Sequence, residues 1–346
     1  MTGINFSAAQ QCLQKVIEQL PKSAVVFDVG SKTPPQIIDI LKNQCWSRDK
    51  LCLLTNQDVW RYSGSYELQH FVSLLPTSVF VLHPGYYNKK NTANFFEISW
   101  PFWYFTRLKV GNDWKVDHTK RPWGFGCLNN KYNLHRLLLG YFLSKQNLLD
   151  TMVFSQNTVD KQSLDGYHSA VLNLYSDFED YLDQLPIRWP EPLKHHWHRS
   201  NHANDHSVNH DCYSKCYSNI VTESEVESFY HHGISVSTPV ITEKSYKPLL
   251  SGQVPLYLAA SGHLAHLRSL GFNVFEDLLP ENFDQFGLLA KIHSLVTLVA
   301  QGKEWIENIY FDRLKEVQHN KELVYSNSVD SILVDKATHA ITTWSD

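Results

Sequence analysis

Residues 238–260 read TPVITEKSYKPLLSGQVPLYLAA, and this stretch predicts a helix that leads into a strand. Thr242 offers a side chain that can cap the helix N-terminus. Gly252 ends the helix before the apolar run 254–260, which is typical of a buried strand. The helix begins with three charged side chains, Glu243, Lys244 and Lys247. A helix N-terminus with lysines beside a strand end favours anion binding, and a nearby carboxylate can bind ribose hydroxyls.

The rest of the chain alternates short apolar runs with helical spacing. Apolar runs predict strands at 23–30, 50–55, 78–83, 123–129, 152–155 and 219–223. Helical patterns lie at 8–20, 34–43, 66–75, 134–145, 263–270 and over most of 286–320. This order predicts an α/β fold in which two Rossmann-like domains face a central cleft.

The domain boundaries are predicted from changes in composition. We expect an N-terminal domain over residues 1–118, a C-terminal ligand-binding domain over 119–310 and a helical tail over 311–346. The polar stretch 111–121 is the predicted linker, and residues 191–216 form an insert rich in His, Asn, Ser and Asp. The aromatic segment 95–107 is predicted to close the core or to line the cleft.

Composition limits the class of protein. The chain has 346 residues, of which 43% are hydrophobic, so a large core is expected. Its net charge of −4 argues against bulk nucleic acid as the main partner. The six cysteines are scattered, as in proteins of a reducing compartment. Neither a signal peptide nor a membrane-spanning apolar run is visible, so a cytoplasmic location is expected.

A resemblance to a known family extends this interpretation. Residues 241–244 (ITEK), followed by a short helix and by VPLY at 254–257, resemble the donor-site motif of the α-1,3-fucosyltransferase family. The loop residue Asn129 and the helix residue Arg136 occupy the place of that family's asparagine-containing loop and arginine. The aromatic run 99–104 is weakly similar to the end of its acceptor domain. The block is also similar to glycosyltransferase-like proteins of viral and marine bacterial genomes.

The resemblance implies the two-domain GT-B fold and an inverting transfer of a sugar from a nucleotide diphosphate sugar, with a GDP-sugar favoured. The donor-binding residues that it implies are Asn129, Arg136, Glu223, Glu243, Lys244, Tyr246 and Lys247. The sequence has no Asp-x-Asp motif, so a mechanism without a metal or other cofactor is expected. In such a mechanism Arg136, Lys244 and Lys247 neutralise the leaving diphosphate.

An inverting transfer also needs a base that deprotonates the acceptor hydroxyl. Three side chains at predicted strand ends of the N-terminal domain are rival candidates, namely Asp28, Asp58 and His83. Asp58 matches best the acidic base that the family places after an acceptor-domain strand. His83 has a suitable unperturbed pKa.

The acceptor and the class of activity stay open at this point. Overall acidity favours a glycan acceptor, whereas a hydroxylated base in phage DNA would need a basic acceptor face. The candidate basic residues are Lys89, Lys90, Arg107, Lys109, Lys120 and Arg121. A binding module without catalysis on the same fold is the alternative.

The insert suggests a third possibility, a zinc site. His202, His206 and His210 repeat every four residues, and Cys212 and Cys216 share that interval. On a helix these side chains would line one face and could bind zinc. Asn, Ser and Asp are poor helix formers, so a solvated loop is the competing interpretation.

Overall fold

The structure is a computed structural model. It describes residues 18, 24–30, 39, 50–55, 78–83, 95–99, 116, 118–129, 133–157, 171–189, 213–223, 226, 241–326 and 328–345. The predicted helices at 8–20, 34–43 and 66–75 lie outside the described residues, apart from single helical positions at Glu18 and Asp39.

The first sheet has four parallel strands in simple chain order. They are β1 (Ala24–Gly30), β2 (Lys50–Thr55), β3 (Ser78–His83) and β4 (Phe95–Ser99). Apolar runs of this length are typical of parallel strands buried on both faces, and the three predicted strands are confirmed. The described strands of this sheet follow one another in simple chain order, without a reversal.

The second sheet has five strands in the order β7-β6-β5-β8-β9. They are β5 (Trp123–Asn129), β6 (Val153–Gln156), β7 (Ile187–Trp189), β8 (Cys216–Thr222) and β9 (Val254–Leu258). All neighbours are parallel except β6 and β7. The chain adds β6 and β7 on one side of β5, then β8 and β9 on the other, so strand order reverses between β5 and β8.

Eight α-helices with described bounds follow β5, and residues 171–174 are also helical. They are α1 (Leu134–Lys145), α2 (Phe178–Asp183), α3 (Glu243–Leu250), α4 (His263–Ser269), α5 (Leu288–Ala300), α6 (Lys303–Asp312), α7 (Leu314–Tyr325) and α8 (Ser328–Ser345). None of the helices in the described residues is both long and apolar enough to cross a membrane. Helix α8 contacts β4, so the last described part of the chain returns to the first sheet.

Three predicted boundaries differ from the structure. The helical region over 286–320 is three helices, because Gly302 with a φ of 84° separates α5 from α6 and a non-helical Arg313 separates α6 from α7. The aromatic segment at 95–107 begins as strand β4. The tail forms helix α8, which the sequence did not define clearly.

The predicted linker ends inside the core of the second sheet. Arg121 is buried, and its guanidinium donates to the carbonyls of Cys216 at 2.6 Å and Gly252 at 3.0 Å. It also donates to Tyr310 Oη at 2.8 Å and lies over that ring, 4.6 Å from its centroid. Arg121 therefore joins the chain entering β5 to β8, to the turn after α3 and to α6.

Helix α1 is buried on nearly all sides. It packs against β6, α2 and α5, and Gly140 lets α2 approach closely. A Cβ atom built at Gly140 would lie 1.9 Å from Tyr181 Oη and 3.0 Å from Phe154 Cζ. The aromatic side chains around this point are fully packed, so the glycine is a steric requirement.

Replacing Gly140 with alanine is expected to lower the free energy of unfolding by up to about 2 kcal/mol. Overpacking a rigid core costs about 1–3 kcal/mol, and alanine returns about 1 kcal/mol in helix propensity. Since the Cβ would also lie 2.9 Å from Tyr181 Cζ, a small shift of the hydroxyl does not relieve the clash. Urea unfolding of the wild type and the variant measures the difference.

Tyr181 supplies the matched control. Its hydroxyl is buried and has no hydrogen-bond partner among the described residues, so Tyr181→Phe should cost little or should stabilise. In the Tyr181→Phe background, Gly140→Ala should cost clearly less than in the wild type. Equal costs in the two backgrounds would show that Tyr181 is not the obstacle.

Candidate functional site

The strand order reverses between β5 and β8, and in open α/β sheets such a reversal marks a crevice at the carboxyl ends of the strands. In open α/β sheets, ligands bind beside two neighbouring strands whose connections to the next strand run in opposite directions along the sheet. The end of β5 supplies Asn129 and the end of β8 supplies Glu223. Helix α1 begins beside this edge with His135 and Arg136, and α3 begins there because Thr242 bonds to Glu223. We call these residues, together with Lys244, the β5–β8 crevice.

Glu223 holds the beginning of α3. Its side chain is 0% exposed, and Oε1 accepts from the Thr242 backbone N–H at 3.1 Å and from Ser245 Oγ at 2.5 Å. Its other oxygen, Oε2, accepts from Thr242 Oγ1 at 2.7 Å. Thr242 is also the predicted N-cap, because its hydroxyl accepts from the Lys244 backbone N–H.

The network continues to β9 through His263. The ring atom Nε2 of His263 lies 3.0 Å from Ser245 Oγ, and the ring lies beside Tyr257 with centroids 5.0 Å apart. Ser245 has one hydroxyl proton, which goes to the carboxylate of Glu223, so the imidazole must donate from Nε2. Burial lowers the pKa of His263, so its ring is neutral near pH 7.

Arg136 and His135 hold the carboxyl end of β8 from the other side. Arg136 is 3% exposed, and its Nη2 donates to the carbonyls of Thr222 at 3.0 Å and Glu223 at 3.3 Å. The Nε2 atom of His135 donates to the same Glu223 carbonyl at 2.8 Å. Burial, helped by the neighbouring guanidinium, lowers the pKa of His135 to about 3. The ring therefore adds no charge to the crevice.

Asn129 ties the ends of the two strands together. Its side-chain oxygen accepts from Thr222 Oγ1 at 2.5 Å, and its amide nitrogen donates to Cys127 Sγ at 3.4 Å. The backbone N–H of Asn129 donates to Ser155 Oγ on β6. Asn129 is 1% exposed, so it is a buried residue that holds the ends of β5, β6 and β8 in place.

The described charges of the crevice are two cations and one carboxylate. Burial alone would raise the pKa of Glu223. Lys244, His263 and the two hydroxyl hydrogen bonds outweigh burial and lower the pKa of Glu223 below its ordinary value. Glu223 is therefore ionised near pH 7, and among the described side chains of the crevice Arg136 and Lys244 carry one more charge than Glu223 offsets.

The remaining donor-site candidates lie on α3. Lys244 is half-buried, with Nζ 3.2 Å from Thr242 Oγ1, and Lys247 is half-buried one turn later. Tyr246 is 1% exposed and its ring lies 6.0 Å from that of Phe272, so it belongs to the core beneath the helix. The side chain of Glu243 lies outside the described residues.

The base candidates belong to the first sheet. Asp28 lies in β1 opposite Leu54 of β2, one row before the strand ends, and His83 is the last residue of β3. Both residues therefore lie at the carboxyl edge of that sheet, two strands and roughly 10 Å apart. Asp58 lies outside the described residues.

The helix face that was suggested to bind zinc does not include Cys216. Cys216 is the first residue of β8 and is 0% exposed. A strand breaks the helical interval of four, so Cys216 cannot share a helix face with the preceding residues. His202, His206, His210 and Cys212 lie outside the described residues.

Sequence reasoning missed two members of the crevice, Ser245 and His263. Ser245 follows the cap residue Thr242 by one helical turn, and this spacing places both hydroxyls on one side of the helix end. His263 starts α4 immediately after β9, where strand and helix meet at the same edge of the sheet. These positions were visible in the sequence, but the hydrogen bonds that join His263 to Ser245 and Ser245 to Glu223 were not.

Comparison of the chain with models of protein families, with curated proteins and with solved structures finds no match.

Proposed function

We propose that the chain is a glycosyltransferase that moves a sugar from a nucleotide diphosphate sugar to a hydroxyl acceptor. The observation that carries this proposal is that two cations lie beside Glu223 at the β5–β8 crevice: Arg136 donates to the Glu223 carbonyl, and Lys244 bonds to Thr242, which bonds to the Glu223 carboxylate. The proposal includes the two-domain GT-B architecture, a GDP-sugar as the favoured donor, inversion, and charge neutralisation by protein cations.

The charges and the location together support a diphosphate. A guanidinium and an ammonium beside a strand-order reversal suit an anion with several oxygens. Because the crevice is largely buried, each charge acts at a lower effective dielectric than at the surface. During transfer, negative charge grows on the leaving diphosphate. The half-buried Lys244 would contact it, whereas Arg136, which is buried and bonds to the carbonyls of Thr222 and Glu223, would stabilise it through its charge from within the fold.

The described basic residues favour a glycan over DNA as the acceptor. Arg121 is buried and bonds to protein carbonyls, so it is not part of a surface that could contact phosphates. Lys120 is exposed but lies 3.5 Å from the carboxylate of Glu307. Lys89, Lys90, Arg107 and Lys109 lie outside the described residues.

Replacing Lys244 with alanine is expected to weaken nucleotide diphosphate binding about tenfold or more, because one charge-assisted contact is lost. A nucleotide at about 100 times its dissociation constant should stabilise the wild type by about 2.7 kcal/mol. A thermal-shift series with GDP, UDP, ADP and CDP measures this stabilisation and identifies the nucleobase. With tenfold weaker binding the same nucleotide concentration should stabilise Lys244→Ala by only about 1.4 kcal/mol, and by less if the loss of affinity is larger.

Lys303→Ala is the matched control. Lys303 is exposed and its Cα lies near Gly124 at the amino end of β5, away from the crevice. It should keep the full stabilisation. Release of nucleotide diphosphate from the donor sugar, with or without a glycan acceptor, then tests catalysis. Binding without release would mark a binding module, and the lack of any stabilised complex would contradict the donor site.

A further inference from the structure

One hydroxyl group lies between the carboxylate of Glu223 and the ammonium of Lys244. Thr242 Oγ1 donates its only proton to Glu223 Oε2 at 2.7 Å, because an ionised carboxylate can only accept. The same oxygen accepts from Lys244 Nζ at 3.2 Å and from the Lys244 backbone N–H at 3.3 Å. The donors and acceptors therefore form a directed chain from Lys244 through Thr242 to Glu223.

The other carboxylate oxygen of Glu223, Oε1, accepts two hydrogen bonds. Glu223 Oε1 accepts from the Thr242 backbone N–H and from Ser245 Oγ, and Ser245 in turn accepts from His263. The carbonyl of Glu223 accepts from His135 and Arg136. Glu223 thus joins the end of β8 to the beginnings of α1, α3 and α4.

We propose that Glu223 is a positioning residue, which acts through Thr242 to hold the Lys244 ammonium at the β5–β8 crevice and does not itself contact the ligand. This inference rests on the proposed function for the identity of the anion. It replaces the ribose-binding role that the resemblance implied for this glutamate.

Burial and charge both argue for this role. The Glu223 side chain is 0% exposed, so a ligand could reach its carboxylate only after α3 had moved. Three protein donors already occupy its oxygens. A carboxylate in direct contact with a diphosphate would repel it, whereas one hydroxyl away it fixes the cation that attracts the diphosphate.

The test uses Thr242 because Glu223 variants risk leaving a buried network unsatisfied. Thr242→Val keeps the side-chain shape and the backbone bond to Glu223 but removes the hydroxyl, and Thr242→Ser restores the hydroxyl. Isothermal titration calorimetry with inorganic pyrophosphate measures anion affinity in each variant. We expect about tenfold weaker binding in Thr242→Val and recovery to within about threefold of the wild type in Thr242→Ser.

The Lys244→Ala background separates positioning from a general structural effect. If Thr242 acts through the ammonium, Thr242→Val should cause no further loss of pyrophosphate affinity in Lys244→Ala. A further tenfold loss in that background would overturn the inference, as would unchanged affinity in Thr242→Val alone. Near-ultraviolet circular dichroism verifies that each variant keeps its packed core.

The outcomes also separate this inference from the proposed function. Wild-type protein that binds pyrophosphate through Thr242 and Lys244, yet neither cleaves nor transfers any donor sugar, would contradict the transferase and support the positioning role. If the protein transfers sugar but its pyrophosphate affinity is unchanged in Thr242→Val, the result would contradict the positioning role alone. Failure of the wild type to bind pyrophosphate would overturn both.

Discussion

Replacing Arg121 with methionine is expected to lower the free energy of unfolding by about 3–5 kcal/mol, since three buried acceptors lose a charged donor. Those acceptors are the carbonyls of Cys216 and Gly252 and the hydroxyl of Tyr310. Methionine fills most of the volume, so the loss reports hydrogen bonding and the contact with the Tyr310 ring. Urea or guanidinium unfolding at pH 7.5 measures the change.

The neighbouring basic residue is a natural control. Lys120 has a side chain that is 82% exposed and one surface ion pair with Glu307, so Lys120→Met should cost less than about 1 kcal/mol. Arg121→Lys should fall between the two, because an ammonium cannot reproduce the fork of donors. A loss below about 1 kcal/mol in Arg121→Met would show that Arg121 does not join these elements.

Lowering the pH is expected to destabilise the protein already at pH values well above those at which carboxylates titrate. Burial lowers the pKa of His135 and of His266 to about 3, whereas an unfolded histidine titrates near 6.5. The unfolded chain therefore binds more protons below pH 6.5, so stability is full above that pH and falls below it. Two such groups give a slope of about 2.7 kcal/mol per pH unit, hence a loss of roughly 3–4 kcal/mol by pH 5.

A pH series of denaturant unfolding between 7.5 and 4.5 tests this slope. His135→Gln keeps a side-chain N–H that can donate to the Glu223 carbonyl and removes one titrating group, so it should roughly halve the slope. His339 is exposed, and His339→Gln should leave the slope unchanged. Equal stability at pH 7.5 and 5 in the wild type would mean that the buried rings are already protonated in the fold.

Local signals predicted the fold best where one short segment decides the structure. Strand β5 and helix α1 were predicted with the bounds that the structure has, because an apolar run, an Asn at the N-cap and leucines at helical spacing are all local. A helical tail was predicted over 311–346, but the bounds of α8 within it were not. Its β-branched residues favour helix only weakly, and packing decides its structure.

The candidate site could be predicted only in part. Thr242 and Lys244 are neighbours in sequence, so their place at a helix N-terminus followed from local rules. Glu223 lies on a different strand, and no local rule reveals that its carboxylate bonds to Thr242 and Ser245. Burial of Arg121 was missed because a charged residue after a polar stretch is usually exposed, and only tertiary contacts enclose it.

The contact between α8 and β4 bears on how the chain is made. Residues 95–99 leave the ribosome long before residues 328–345. Strand β4, the last strand of the described first sheet, therefore lacks its contact with α8 during most of synthesis. An open strand edge is a template for pairing with other chains. We therefore expect the yield of this protein to depend on translation speed and chaperone supply as well as on its final stability.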